Sequence, residues 1–117
     1  YHKRFTLINF WATWCAPCVE ELPSLDKLVT KFGENNIKII AINVEKIKKE
    51  KAVNFLENLK IKNFTTYFDD KFEVAKLLKL RGIPITIILN SEGKEIARVV
   101  GSLEFDSKIF IDKLDKL

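Results

Sequence analysis

The first forty-four residues follow a strand-helix-strand pattern that restricts the fold more than any other feature of the chain. Residues 5–11 form a nearly continuous apolar run, which is typical of a central strand buried on both faces. Apolar residues then recur at helical spacing up to Phe32, and Gly33 follows as a C-terminal cap. A second apolar run at residues 37–44 lies far enough along the chain for the helix to be a parallel crossover. The sequence therefore predicts a β-α-β unit.

Three further elements are predicted in the middle of the chain. Apolar residues at helical spacing predict a helix over 47–59, with its charged residues on the solvent side. Residues 64–68 have the composition of a short strand, and residues 71–80 that of another helix.

The last part of the chain predicts a β-hairpin followed by a helix. Residues 85–89 and 95–100 read as strands, and Asn-Ser-Glu-Gly at 90–93 is typical of the tight turn between two antiparallel strands. A final amphipathic helix is expected from about residue 106, with three apolar side chains facing inward: Ile109, Phe110 and Leu114. The order β-α-β-α-β-α-β-β-α predicts an α/β fold, a mixed β-sheet with helices on both faces.

Size and charge exclude several classes of protein. A chain of 117 residues with 47% apolar content suits one domain over residues 1–117. The net charge of +4 comes from lysines mixed with acids, and no basic stripe with exposed aromatics indicates nucleic-acid binding. No apolar stretch approaches the roughly 20 residues that cross a bilayer. Since the sequence starts at Tyr1 and has no Met, we expect a mature or excised domain.

The only two cysteines, Cys15 and Cys18, lie at the first strand-to-helix junction. A structural disulfide across so short a loop would stabilise the fold little. A zinc site needs four ligands, and the chain adds only His2 to the two thiols. Redox chemistry suits the position better, because a helix N-terminus stabilises the reactive thiolate. Cys15 would attack a disulfide, and Cys18, one turn along the helix, would resolve the mixed disulfide.

Residues 9–18 read Asn-Phe-Trp-Ala-Thr-Trp-Cys-Ala-Pro-Cys, and Glu-Leu-Pro follows at 21–23. These two segments resemble the TlpA/ResA/DsbE-like branch of the thioredoxin superfamily. Residues 81–84 resemble its cis-proline loop, and residues 46–80 its central helix-plus-strand insertion. The resemblance covers nearly the whole chain and implies a thioredoxin-like fold. Two features depart from the family: Ile85 stands where Thr is common, and the hairpin before the first strand is missing or truncated.

The same resemblance implies which residues contact a substrate: Trp14, Ala16, Pro17, Ile83 and Pro84. The peptide bond before Pro84 is expected to be cis, with the backbone of Ile83 pairing with an extended substrate. The alternative is that Pro84 merely starts an edge strand. Of the two tryptophans, Trp11 is expected in the core and Trp14 over Cys15.

A third catalytic residue is expected at Glu21. It follows Cys18 by three residues, hence on nearly the same helix face, and the resembling branch has a functional acid there. The alternative is an ordinary surface residue beside Glu20. Asn9 stands where thioredoxin has a buried Asp and cannot accept a proton, which shifts that role to Glu21.

The absence of His between the cysteines favours a reducing role. The resemblance implies a thiol:disulfide oxidoreductase that reduces protein disulfides in the periplasm or another exported compartment, such as those of apocytochrome c or copper-site proteins. It also implies a membrane electron donor of thiol-disulfide type and a membrane anchor outside the given chain. The protein is expected to be a monomer, with no cofactor beyond the Cys15–Cys18 disulfide and no bound metal. A copper metallochaperone is the alternative, since thiolates suit Cu(I), although the only His is His2. A redox-inert interaction module is a third possibility.

Overall fold

A computed structural model describes residues 3–117 and contains one five-stranded sheet in the order β3-β2-β1-β4-β5. The strands are β1 (Phe5–Trp11), β2 (Ile37–Asn43), β3 (Thr66–Phe68), β4 (Ile85–Leu89) and β5 (Glu95–Val100). β1, β2 and β3 run parallel, whereas β4 is antiparallel to β1 and β5 to β4. The predicted mixed sheet, the β-α-β unit and the final hairpin are confirmed.

The helices are α1 (Ala16–Phe32), α2 (Lys49–Asn58), α3 (Glu73–Leu77) and α4 (Lys108–Asp115). α1 begins after Cys15 and continues through Pro23 to Gly33, whose φ of 106° is a conformation that favours glycine. The Gly33 N–H donates to the Val29 carbonyl and thereby closes the last turn. No helix within residues 3–117 is long and apolar enough to span a bilayer.

The core has two parts because alternate side chains of a strand face opposite sides of the sheet. Leu7 and Trp11 of β1 belong to the larger cluster, together with the buried faces of α1, α2 and α4. Phe10 belongs to a smaller cluster on the other side, with Ile85 and Ile87 of β4 and the residues that follow α3. α1, α2 and α4 thus cover one face of the sheet and the segment that follows α3 covers the other, which confirms the predicted α/β fold.

Two predictions about helices are wrong. α3 covers five residues instead of 71–80, because Phe72 and Lys79 both adopt a left-handed conformation, with φ of 58°, and no α3 side chain is buried. Ile109 is 71% exposed, and Ile111 takes the inward position instead. At about 100° per residue, Phe110, Ile111 and Leu114 share one face of α4, and Ile109 points about 150° away from its centre.

The carboxyl ends of β1 and β2 meet at one edge of the sheet, and β4 begins beside them. Trp11 pairs with Asn43 in the parallel ladder, and Phe10 pairs with Ile85 in the antiparallel one. The loop that leads into α1 and the loop that leads into β4 are therefore neighbours, although some seventy residues separate them in the sequence. This edge holds the residues that the sequence singled out.

Candidate redox site

Cys15 and Cys18 form a disulfide at the start of α1, with their Cα atoms 5.3 Å apart. Cys15 is the N-cap residue of the helix, and its Sγ accepts a hydrogen bond from the Cys18 N–H at 3.3 Å. Cys15 retains 5% of its surface exposed, whereas Cys18 is fully buried. After reduction, the same N–H and the helix dipole would stabilise a thiolate at Cys15, the more accessible sulfur.

The loop before β4 lies against the disulfide. The Ile83 carbonyl oxygen is 3.9 Å from Cys15 Sγ, a contact rather than a hydrogen bond, because a disulfide sulfur carries no hydrogen. The Ile83–Pro84 peptide bond is cis, as the resemblance implies, and the Gly101 N–H donates to the Pro84 carbonyl at 3.0 Å. The structure thus brings together the two distant segments expected to form one site.

The remaining residues that were expected to contact a substrate are exposed beside the cysteines. Trp14, immediately before Cys15, has 71% of its surface exposed, and Ala16 and Pro17 are exposed at the start of α1. Trp11 is completely buried, where its indole N–H donates to the Thr66 hydroxyl at 3.0 Å. The core role predicted for Trp11 is confirmed. Substrate contact through Trp14 stays a prediction.

Glu21 is buried, with 2% of its surface exposed, so the alternative of an ordinary surface residue is wrong. Its Oε2 accepts from Asn9 Nδ2 at 2.7 Å, and its Oε1 accepts from the Leu103 N–H at 3.3 Å. Burial disfavours the charged carboxylate and raises the pKa of Glu21 to about 7, although both hydrogen bonds act in the opposite direction. Glu21 can therefore exchange a proton near neutral pH.

Asn9 connects Glu21 to β4. Its Nδ2 also donates to the Thr86 hydroxyl at 2.9 Å, while its Oδ1 is buried without a hydrogen-bond partner in the described part of the chain. Rotation of the amide by a half turn would present this oxygen to a protonated Glu21. The Asn9 amide can therefore serve either protonation state of the neighbouring carboxyl group.

Sequence reasoning missed a second polar cluster, which holds the loop in front of Cys15. The Glu45 carboxylate accepts from the backbone N–H and the hydroxyl of Thr13, the latter at 2.7 Å, and from Asn43 Nδ2 at 3.1 Å. Asn43 in turn accepts from the Glu45 N–H at 3.0 Å. The signal was present, since Asn43 ends a buried strand whose carboxyl end must meet that of β1, and Glu45 follows two residues later.

Thr86 was missed for a different reason. Its side chain is completely buried within an otherwise apolar strand. Sequence comparison with the resembling family singled out the neighbouring Ile85 and not Thr86. A polar residue in a strand buried on both faces needs a partner, which here is Asn9.

No group of three or more His, Cys, Asp and Glu side chains within residues 3–117 is arranged to hold a metal ion. His2, on which the copper alternative depends, lies outside the described residues.

Comparisons with known proteins agree on the type of fold. The sequence model of the AhpC/TSA family matches residues 1–97. The thiol-disulfide oxidoreductase ResA of a Bacillus cereus strain is 30% identical over 102 residues, which are 80% of this chain and 53% of that protein. ResA of Bacillus subtilis (strain 168) is 31% identical over 96 residues, 82% of this chain and 52% of that protein. The chain spans about half the length of these relatives.

Two solved structures show the same architecture. A candidate thiol:disulfide interchange protein DsbE from Chlorobium tepidum superposes with a TM-score of 0.82 at 25% identity, over 97% of this chain and 79% of that one. StoA from Bacillus subtilis superposes with a TM-score of 0.74 at 23% identity, over 97% and 81% of the two chains. The second likeness concerns the fold alone.

Proposed function

The chain belongs to the AhpC/TSA family, and from this membership we propose that it is a protein thiol:disulfide oxidoreductase whose redox centre is the pair Cys15 and Cys18. One observation carries the proposal: the two cysteines are bonded at the N-terminus of α1, with the Ile83 carbonyl 3.9 Å from the more exposed sulfur. This arrangement offers a reactive sulfur beside a backbone that an extended polypeptide can pair with.

The cycle begins with the reduced pair. The Cys15 thiolate attacks one sulfur of a substrate disulfide, the substrate S–S bond breaks, and the leaving sulfur takes a proton. A mixed disulfide between Cys15 and the substrate results. The Cys18 N–H, which lies within hydrogen-bond distance of Cys15 Sγ, and the positive end of the α1 dipole stabilise the negative charge of the attacking thiolate.

Resolution requires Cys18 to lose its proton in a buried position. Glu21 is one turn further along α1, and its pKa of about 7 makes it partly ionised near neutral pH. We propose that Glu21 accepts this proton. The Cys18 thiolate then attacks Cys15 Sγ, the bond between Cys15 and the substrate sulfur breaks, and the leaving substrate sulfur takes up a proton. Two electrons pass to the substrate, and the Cys15–Cys18 disulfide is restored. No cofactor beyond this pair takes part.

The proposed direction is reduction, because Ala16 and Pro17 place no imidazolium between the cysteines that would stabilise the reduced form of the enzyme. The proposed substrates are exported proteins that carry a disulfide or a cysteine pair, such as apocytochrome c or a copper-site protein. A membrane protein of thiol-disulfide type would return the electrons. The names of the ResA relatives support the thiol-disulfide chemistry of this proposal. In the same proposal the chain works outside the cytoplasm as a monomer tethered by a segment beyond the given sequence.

The test is disulfide reduction by the reduced protein under single turnover, with insulin as the model substrate. The protein should reduce insulin, Cys15→Ser should abolish the reaction, and Cys18→Ser should accumulate a mixed disulfide that mass spectrometry detects. Lys27→Gln, at an exposed position further along the same helix, is the control and should keep the wild-type rate.

Absence of insulin reduction by the wild-type protein, or trapping by Cys15→Ser instead of Cys18→Ser, would contradict the proposal. Stoichiometric Cu(I) binding that resists a competing chelator, in a protein without reductase activity, would favour the metallochaperone instead.

A further inference from the structure

A groove of about 370 Å³ extends from the cis-proline loop along the end of β5. Ile83, Pro84 and Val100 form its apolar floor, and Val100 leaves 79% of its surface exposed. Ile83 links this groove to the redox pair, because the residue lines the groove and its carbonyl contacts Cys15 Sγ. A polypeptide bound across Ile83 can therefore extend into the groove.

The rim of the groove is cationic. Lys79, Arg81 and Arg98 line it, and no acidic residue does. Within residues 3–117, no carboxylate forms an ion pair with Lys79 or Arg81, and both side chains are exposed. Two positive charges thus face solvent beside the apolar floor without compensation.

Arg98 differs from Lys79 and Arg81 because its charge is already paired with a carboxylate. Its guanidinium donates to both carboxylate oxygens of Glu95 and, through Nη1, to the Leu78 carbonyl at 2.7 Å. The last of these bonds ties β5 to the segment that carries Lys79 and Arg81. This hydrogen bond fixes the side of the groove on which Lys79 and Arg81 lie.

We propose that this groove selects substrates with acidic side chains near the reactive disulfide, a specificity that rests on the oxidoreductase function proposed above. The acid would pair with Lys79 or Arg81 while a neighbouring aliphatic side chain packs on Val100. Arg81 precedes Ile83 by two residues, which can span at most about 7 Å, so the acid would lie within about three residues of the attacked cysteine.

The test compares two short synthetic peptides, each with one intramolecular disulfide, that differ only in glutamate or glutamine placed within about three residues on each side of a cysteine. The second-order rate of reduction is measured under single turnover. Since exposed ion pairs are individually weak, two of them correspond to about a tenfold faster reduction of the glutamate peptide at low ionic strength. The advantage should shrink in 1 M salt, where the screening length is only about 3 Å.

Variants assign the preference to the groove. In Lys79→Gln/Arg81→Gln the ratio of the two rates should fall close to one. In Lys79→Glu/Arg81→Glu the preference should reverse, so that the glutamine peptide is reduced faster than the glutamate peptide. The control is Lys38→Gln/Lys113→Gln, which removes two exposed lysines outside the groove and should keep the wild-type ratio.

Three results would overturn the assignment: equal rates for the two peptides with the wild-type protein, an equal loss of preference in the control, or no reversal in the charge-reversed variant. If the wild-type protein reduces neither peptide nor insulin, the proposed function itself fails. Reduction of both peptides at the same rate leaves that function standing and removes only the acidic preference.

Discussion

Glu21→Gln should abolish a loss of stability that the wild-type protein suffers as the pH rises from 4.5 to about 7. Below pH 4.5 the carboxyl group is protonated in both the folded and the unfolded chain. Between pH 4.5 and about 7 the unfolded chain releases this proton while the folded protein keeps it. The unfolded state then binds fewer protons, so the free energy of unfolding falls as the pH rises.

The size of this effect follows from the burial of Glu21. A change in pKa from 4.5 to about 7, at about 1.36 kcal/mol for each pH unit, corresponds to about 3 kcal/mol. That stability is fully present below pH 4.5 and lost above pH 7. Because glutamine does not titrate, the Glu21→Gln variant lacks this part of the pH dependence. The difference between the two free energies of unfolding should change by about 3 kcal/mol across the interval.

The assay is urea unfolding from pH 4 to pH 8, followed by the fluorescence of the two tryptophans. The oxidised protein is used, since disulfide-bonded cysteines do not titrate. Glu20→Gln, which removes an exposed carboxylate from the preceding position, is the matched control and should keep the wild-type slope. Parallel curves for wild type and Glu21→Gln over the whole pH range, whatever the constant offset between them, would show that the pKa of Glu21 is not raised by folding.

Three other substitutions test separate parts of the site. Asn9→Ala removes a hydrogen bond that lowers the pKa of Glu21, so the loss of stability measured by urea unfolding should extend to higher pH; an unchanged pH profile would contradict this. Glu45→Ala leaves the N–H and hydroxyl of Thr13 without their acceptor and should lower the free energy of unfolding by about 2 kcal/mol. A loss of less than about 0.5 kcal/mol would show that Glu45 does not hold the loop in front of Cys15. Trp14→Ala removes an exposed side chain, so stability should change by less than about 0.5 kcal/mol while insulin reduction slows at least about fivefold; equal rates would remove Trp14 from substrate contact.

The parts of the fold that were predictable are those where apolar pattern and turn chemistry agree. β1, β4 and β5 have the predicted bounds, because each is a clear apolar or alternating run between turn residues. α3 was overestimated, since two non-glycine residues adopt positive φ at its ends, which no periodicity reveals. Ile109 was misplaced because the phase of a short helix depends on its start, which Ser107 fixes by accepting from the Phe110 N–H.

The site was predictable where covalent spacing or a motif fixes it, as for Cys15, Cys18 and Pro84. The polar contacts around it were not. The partnership of Asn9 with Thr86 joins residues 77 positions apart, and that of Thr13 with Glu45 joins residues 32 positions apart. Such pairs depend on the register of neighbouring strands, which the sequence of a single chain specifies only after the sheet order is known.

The most direct test of the central claim is a redox titration of the cysteine pair against glutathione buffers, with the oxidised fraction read by thiol alkylation and mass spectrometry. We expect one two-electron transition, with about 30 mV for each tenfold change in the equilibrium constant. For a protein that reduces disulfides, the potential should lie nearer the roughly −270 mV of reducing thioredoxins than the roughly −120 mV of strong oxidants. A value at the oxidising end, or no two-electron transition at Cys15 and Cys18, would contradict it.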